Sequence, residues 1–167
     1  MQHQDLGASV QAWGIEMQAQ AASRGIKLHL ECVESLGPVA FHTSTLRRAV
    51  LNLLHNAMDA MSNGGTISLV GQATTTHVQL QVRDTGYGIP VERLERIFEP
   101  LYTTKVGGTG LGLYIVQEIV AAHGGQITVQ SMEGQGTTFT IVLPRVPAEA
   151  PTLEGLSQLA EHSGPGA

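Results

Sequence analysis

The chain contains several short stretches in which apolar and polar residues alternate, which is the pattern of a strand with one buried face. Alternation over Thr66 to Val70 and over Val78 to Val82 predicts two antiparallel strands around a turn near Gly71. Ile127 to Ser131 and Thr137 to Leu143 predict another strand pair nearer the C-terminus. These four strands form the main part of the predicted sheet.

The stretch from Ile26 to Val33 is also strand-like, and Gly37-Pro38 separates it from the short apolar run Val39 to Phe41. We expect these two segments to form a hairpin, because Gly followed by Pro is a strong turn signal. The single cysteine, Cys32, lies on the strand-like stretch and is expected to be a small buried apolar side chain. One cysteine excludes an internal disulfide and a cysteine-based metal site.

Other stretches carry apolar residues at the three-or-four spacing of an amphipathic helix. The clearest one is predicted to begin at Thr43, Ser44 or Thr45 and to end at Asn63-Gly64-Gly65. Its apolar positions are Leu46, Val50, Leu53, Ala57 and Met61. Further helices are predicted over 1–24, over 91–98 after Pro90, and from Leu111 to Ala122, where His123-Gly124-Gly125 offers a cation-capable side chain and a stop.

Two long helices and a short one beside five or six strands predict an α/β (α+β) two-layer sandwich. Its sheet is expected to be mixed but mostly antiparallel, with about three helices covering one face. Along the chain we expect a helical lead-in over 1–24, one domain over 25–145, and a disordered tail over 146–167, where Pro, Ala, Glu and Gly predominate.

Length and charge narrow the classes of function. The 167 residues suit one domain, and a formal charge of −5 with no run of Lys or Arg argues against nucleic-acid binding. No apolar stretch reaches the roughly 18 residues that a membrane-spanning helix needs. We therefore expect a cytoplasmic domain, and a membrane-anchored parent protein is compatible with that expectation.

The helix that contains Leu46 also has a polar face. Asn52, Asn56, Asp59 and Asn63 are spaced by four, three and four residues, so they form one stripe opposite the core. Taken alone, such a stripe is usually a solvated surface. Two glycine-containing motifs later in the chain favour a ligand-binding face instead.

The first motif, Asp84-Thr85-Gly86-Tyr87-Gly88-Ile89-Pro90, follows the strand over 78–82. By itself it is a common turn, yet a carboxylate at a strand end can accept a hydrogen bond from the amino group of adenine. The second, Gly107-Gly108-Thr109-Gly110-Leu111-Gly112-Leu113, opens a helix, and such a start offers unpaired amides to an anion such as phosphate. Its spacing fits neither the P-loop nor a dinucleotide-binding fingerprint.

Taken in order, these motifs resemble the N, G1, F and G2 boxes of the catalytic domain of sensor histidine kinases. The matching segments are N-L-L-H-N-A-M-D-A at 52–60, D-T-G-Y-G-I-P at 84–90, I-F-E-P-L-Y-T-T-K at 97–105 and G-T-G-L-G-L at 108–113. H-G-G at 123–125 and G-Q-G-T-T-F at 134–139 extend the resemblance over residues 26–145. It implies a Bergerat-type fold, as in gyrase, mismatch-repair and chaperone ATPases, with a site for ATP and Mg²⁺.

The resemblance also implies roles for individual residues. Asn56 matches the asparagine whose oxygen helps to hold Mg²⁺, Asp84 matches the adenine-reading aspartate, and Thr137 matches a threonine that supports the same edge of the base. The nucleotide-binding set implied in this way is Asn56, Asp59, Asp84, Gly86, Gly88, Ile89, Thr104, Lys105, Gly108, Thr109, Gly110, Leu111, Gly112 and Thr137. The catalytic set is Asn52, Asn56 and Lys105.

One position distinguishes phosphoryl transfer from hydrolysis. The related ATPases carry a glutamate base four residues before the metal-binding asparagine, and this chain has Asn52 there. An amide does not take a proton at neutral pH, so we expect ATP to be kept for transfer. The plainer interpretation of Asn52 is a surface amide that hydrogen-bonds to water.

A second departure concerns the phosphate cation. Many histidine kinases have Lys or Arg three residues after the metal-binding asparagine, whereas this chain has Asp59. A carboxylate does not neutralise phosphate, so Lys105 at the end of the F box is the expected cation. The alternative for Lys105 is a solvated loop lysine.

None of the seven histidines lies in the sequence context of the family's phosphoacceptor helix. The resemblance therefore implies transfer to a histidine on an upstream helical domain, from which residues 1–24 lead in, and then to a response regulator. The parent is expected to be a homodimer and this fragment a monomer. Two alternatives stay open: a serine kinase of the anti-sigma type with the same fold, and a nucleotide-binding regulatory module without transfer.

Overall fold

The computed structural model describes residues 1–145, and the tail predicted over 146–167 lies outside the described residues. The strands are β1 (Gln2–Asp5), β2 (Ile26–Glu31), β3 (Pro38–Phe41), β4 (Gly65–Ala73), β5 (His77–Asp84), β6 (Gln126–Met132) and β7 (Gly136–Pro144). The α-helices are α1 (Leu6–Ser23), α2 (Thr43–Asp59), α3 (Val91–Leu94) and α4 (Gly112–Ala122). No helix within residues 1–145 combines the length and the apolar character needed to cross a lipid bilayer.

The main sheet has five strands in the order β2-β4-β5-β7-β6. β2 runs parallel to β4, and the other neighbouring strands are antiparallel. The core between this sheet and the helices includes Val50 and Leu53 from α2 and Val116 and Val120 from α4. A mixed, mostly antiparallel sheet packed against helices confirms the predicted fold class.

The first 23 residues are packed into the same unit. Asp5 begins α1 by accepting a hydrogen bond from the Ala8 N–H at 3.1 Å. The buried face of α1 includes Val10, Trp13 and Met17, which belong to the common core. The helix predicted over 1–24 is confirmed from Leu6 onwards, residues 2–5 form a strand instead, and the assignment of this segment to an upstream domain stays a prediction.

The hairpin predicted for residues 26–41 is wrong. β2 pairs with β4, and β3 pairs with β1 in a separate two-stranded sheet. Cys32 is exposed rather than buried, because β2 ends at Glu31 and Cys32 takes a left-handed conformation with a φ of 55° before a short 3-10 turn. The chain therefore leaves the main sheet at this point instead of turning back along it.

The helices around the later motifs differ from prediction in two details. The helix predicted over 91–98 is confirmed only for Val91–Leu94, and hydrogen-bonded turns continue to Tyr102. α4 ends as predicted, but His123 is buried: its Nε2 accepts from the His42 N–H at 3.0 Å, and its Nδ1 donates to the Ile119 carbonyl at 2.7 Å. The ring of His123 thus bonds two backbone groups inside the domain instead of facing solvent at the helix end.

Candidate functional site

A cleft of about 450 Å³ opens between α2, the turn after β5, the segment before α4 and the start of β7. The cleft brings together motifs that are far apart in sequence. The predicted residues that line it are Asn56, Asp59, Asp84, Gly88, Ile89, Thr104, Lys105, Gly108, Thr109, Gly110, Gly112 and Thr137.

Asp84 and Thr137 form one polar wall of the cleft. They face each other in register on the neighbouring strands β5 and β7. The alternation that buries Val82 in β5 continues to Asp84, and the alternation that buries Phe139 in β7 continues to Thr137. The two-residue period of a strand therefore places both polar side chains on the core side of the sheet, where the cleft begins.

The Asp84 carboxylate is buried and bonded to the backbone. It accepts hydrogen bonds from the Gly86 N–H, at 2.8 Å, and from the Thr137 N–H. Burial raises the pKa of Asp84, and the two hydrogen bonds partly offset that effect because they favour the charged form. A carboxylate has about four lone-pair sites, so Asp84 can still accept from a donor in the cleft.

A second polar group joins α2 to the loop that faces it. Lys105 Nζ lies 3.1 Å from Asn56 Oδ1 and 2.8 Å from Asp59 Oδ2. Asp59 Oδ1 lies 3.0 Å from Nη1 of Arg24, which follows α1. Burial opposes the ionisation of Asp59, but Lys105 and Arg24 outweigh it and lower the pKa of Asp59. Asp59 thus holds the Lys105 ammonium beside Asn56. The cation that many histidine kinases carry at the sequence position of Asp59 is supplied here by Lys105, which lies next to Asp59 in space.

The start of α4 is open to an anion. Leu111 precedes the helix without a side-chain hydrogen bond to its first turn, so the first amides are available to a ligand. Gly110 has a φ of 67°, and a Cβ there would lie 2.4 Å from the backbone carbon of Leu101. Glycine at 110 therefore lets the loop pack against Leu101 and lead directly into α4.

Three predicted residues do not line the cleft. Asn52 Nδ2 donates to the Gly112 carbonyl at 3.4 Å, so Asn52 links α2 to the start of α4. Gly86 packs against the end of α2, and a Cβ added at this position would lie 2.6 Å from the Ala60 carbonyl oxygen. Leu111 is the residue before the helix. The catalytic role of Asn52 stays a prediction.

Several further residues line the cleft that the motif comparison does not assign to nucleotide binding. They are Ala60, Tyr87, Pro90, Arg93, Ile97, Tyr102, Thr103, Leu113, Glu133 and Phe139. Most of them lie inside or beside a motif, and that position alone was a usable signal. Arg93 carries no such signal, whereas Glu133 directly precedes the matching segment at 134–139. Glu133 reaches the cleft because the turn between β6 and β7 folds against the turn after β5, where the Gly134 N–H donates to the Tyr87 carbonyl at 2.7 Å.

Comparison with known proteins points to one family. A family model described as histidine kinase-, DNA gyrase B-, and HSP90-like ATPase matches residues 42–147. The sensor histidine kinase ZraS of Salmonella typhimurium is 45% identical over 125 residues, which are 74% of this chain and 27% of that protein. Sporulation kinase E of Bacillus subtilis is 37% identical over 129 residues, 77% of this chain and 18% of that protein. The chain thus spans 18% to 27% of the length of these relatives.

Solved structures agree with the sequence relatives. The nucleotide-free catalytic domain of the histidine kinase ThkA superposes with a TM-score of 0.78 at 30% identity, covering 88% of this chain and 98% of that one. Full-length ShkA in complex with AMPPNP gives a TM-score of 0.76 at 30% identity, covering 90% of this chain and 32% of that one. The chain therefore belongs to the histidine kinase-, DNA gyrase B- and HSP90-like ATPase family and has the fold of a histidine kinase catalytic domain.

Proposed function

We propose that this chain is the catalytic domain of a sensor histidine kinase, which binds ATP in the cleft and donates the γ-phosphoryl group to a histidine of a separate phosphoacceptor domain. The observation that carries the proposal is the convergence of four separated motifs on one cleft. Asp84 and Thr137 supply acceptors for a base, while Asn56, Lys105 and the start of α4 supply groups for phosphates and a metal ion. A site for a nucleoside triphosphate needs both the groups that bind the base and the groups that bind the phosphates.

The donor set fits Mg²⁺. Within residues 1–145 no group of three or more His, Cys, Asp or Glu could hold a metal ion, and the oxygen donors at the cleft include the amide of Asn56. Mg²⁺ prefers hard oxygen ligands and usually keeps most of its positions for phosphates and water. Asn56 Oδ1 accepts from Lys105 Nζ at 3.1 Å and has a second lone pair, through which it would hold the ion. Mg²⁺, when bound, neutralises phosphate charge.

The chain contributes positioning and charge to the transfer. An imidazole nitrogen of the acceptor attacks the γ-phosphorus, a P–N bond forms, the bond to the β–γ bridging oxygen breaks, and ADP leaves with that oxygen. Lys105 and the α4 amides offset the negative charge of the phosphates during this exchange. Asn52 does not act as a base toward water, which favours transfer over hydrolysis.

The proposal extends to the parent protein. We propose that the acceptor histidine lies on an upstream helical domain, that the parent is a homodimer through that domain, and that a response regulator receives the phosphoryl group. The domain would act in the cytoplasm, where ATP is available, and the fragment alone would be monomeric. The support for these points is the relationship with sensor histidine kinases.

A transfer assay tests the proposal. The chain is mixed with the helical domain that precedes it in its parent protein, Mg²⁺ and ATP labelled at the γ-phosphate. We expect label on the helical domain that is labile in acid and stable in base, as for phosphohistidine. Asn56→Ala should abolish the labelling, because it removes the proposed metal ligand, whereas Asn63→Ala, in the turn that follows α2 and outside the cleft lining, should keep it.

Three results would contradict the proposal. Acid-stable label would indicate a serine kinase of the same fold. ATP binding by a folded chain without any label on the acceptor domain would indicate a regulatory module. Full labelling by Asn56→Ala would remove Asn56 from the metal site.

A further inference from the structure

A serine outside the cleft contacts two of the segments that form the cleft wall. Ser131 lies near the end of β6, directly opposite Thr137 of β7. Its Oγ has three hydrogen-bond contacts: the Ile89 N–H at 2.7 Å, the Gly136 carbonyl oxygen at 3.0 Å and the Thr137 Oγ1 at 2.8 Å. The motif comparison assigns no role to Ser131.

Only one arrangement of protons turns all three contacts into hydrogen bonds. An N–H can only donate and a carbonyl oxygen can only accept, while a hydroxyl has one proton and two lone pairs. The single proton of Ser131 must therefore point to the Gly136 carbonyl. Its two lone pairs then accept from the Ile89 N–H and from the Thr137 hydroxyl, so the proton of Thr137 points away from the cleft.

This arrangement leaves the Thr137 oxygen as an acceptor toward the cleft. Asp84, which faces Thr137 on β5, is an acceptor as well, because an ionised carboxylate has no proton to donate. The paired side chains thus present two acceptors and no donor. Adenine carries an amino group with two N–H donors at position 6, whereas guanine and hypoxanthine carry an acceptor oxygen there.

We propose that Ser131 is a positioning residue that fixes the Thr137 hydroxyl as an acceptor and thereby sets the preference of the cleft for a 6-amino purine over a 6-oxo purine. This inference rests on the proposed function, since it requires the base to lie against Asp84 and Thr137. Ser131 acts through Thr137 and through the Ile89 N–H, and it does not touch the base.

The test compares the dissociation constants of ATP and ITP, which differ only in the amino or oxo group at position 6 and the protonation of the adjacent ring nitrogen. Ser131→Ala frees Thr137 to turn its proton into the cleft, where it can donate to the oxo group of ITP. We expect the ATP-to-ITP preference of Ser131→Ala to fall roughly tenfold, because ITP gains about one hydrogen bond from Thr137. Ser131→Thr keeps the hydroxyl and should retain the preference of the unmodified chain.

The ratio of the ATP and ITP dissociation constants distinguishes a positioning role of Ser131 from a purely structural one. A purely structural role would weaken ATP and ITP by the same factor, and an unchanged ratio in a folded Ser131→Ala chain would overturn the inference. If Ser131→Ala does not fold, Thr137→Val and Thr137→Ser provide the comparison, because the first removes and the second keeps the oxygen that Ser131 orients. Equal ATP-to-ITP preferences of these two chains would again overturn the inference. Failure of the proposed function is distinct: the unmodified chain would then show no preference for ATP over ITP.

Discussion

The ionised side chain of Asp84 lowers the stability of the folded domain. Burial raises its pKa, so the folded protein favours the protonated carboxyl more than the unfolded chain does. For an acid of this kind the contribution to stability is greatest when the group is protonated, and it decreases as the pH rises from the ordinary value of 3.8 through the raised pKa. At neutral pH the charged Asp84 therefore lowers the free energy of unfolding while it provides an acceptor in the cleft.

The same shift predicts how ATP affinity depends on pH. Protonation turns Asp84 from an acceptor into a donor. Because the pKa of Asp84 is raised, ATP affinity should begin to fall at a higher pH than it would for an aspartate with the ordinary pKa. Asp84→Asn should bind ATP about tenfold more weakly and without this pH dependence. Calorimetric titration of both chains, from neutral pH down to the onset of acid unfolding, measures the effect. A pH profile common to the two chains would assign it to another group.

At the scale of elements, two glycines of the loop before α4 share a left-handed backbone conformation and differ in what surrounds them. Gly107 and Gly110 both have positive φ angles, 75° and 67°, so alanine meets a similar backbone penalty of about 1 kcal/mol at either position. A Cβ at 110 would also lie 2.4 Å from the backbone of Leu101, whereas a Cβ at 107 meets nothing within 4 Å. Gly110 alone therefore fixes the loop against Leu101.

This difference yields a paired prediction. Gly110→Ala should lower ATP affinity about tenfold or more, because the loop must move away from Leu101 and the start of α4 moves with it. Gly107→Ala should change the affinity far less. ATP titration measures both, with circular dichroism to show that each chain is folded. Equal losses would mean that the backbone conformation, and not the contact with Leu101, decides the binding.

Some elements could be predicted from the sequence and others could not. β5 and β7 were predictable because alternation marks a strand with one buried face, and the same alternation extends to Asp84 and Thr137. β1 consists of Gln2, His3, Gln4 and Asp5, which show no alternation of apolar and polar residues. The sequence therefore gives no sign that β1 pairs with β3. The wrong hairpin over 26–41 follows from that missing partner. Arg93 was missed because it lies between the motifs at 84–90 and 97–105 and belongs to neither.

At the scale of the whole molecule, α1 is packed into the common hydrophobic core. Trp13, the only tryptophan of the chain, is 5% exposed and packs edge-on against Phe41 with ring centroids 6.4 Å apart. A chain that begins at residue 25, where the sequence alone placed the domain boundary, would lose this contact and the pairing of β1 with β3. Residues of α1 thus pack into the same core as the domain predicted over 25–145, and the boundary itself stays a prediction.

We predict that Trp13→Ala lowers the free energy of unfolding by about 3–5 kcal/mol, the usual cost of removing a buried aromatic side chain. Ile15→Ala, two residues further along α1, should change it by less than about 0.5 kcal/mol, because Ile15 is 55% exposed. Urea unfolding followed by circular dichroism compares the two chains. If they unfold at the same urea concentration, α1 lies outside the cooperative unit and a domain starting at residue 25 would fold alone.

The register of Asp84 with Thr137 has a consequence for how this domain can diverge. Both residues are placed by the hydrogen-bond ladder between two inner strands, whereas Lys105 and Gly110 lie on a loop that no ladder constrains. Insertions, deletions and substitutions in that loop can therefore accumulate without shifting the strands. Under the proposed function, the groups that would select the base are thus tied to the sheet, whereas the groups that would contact the phosphates lie on a loop that can change separately.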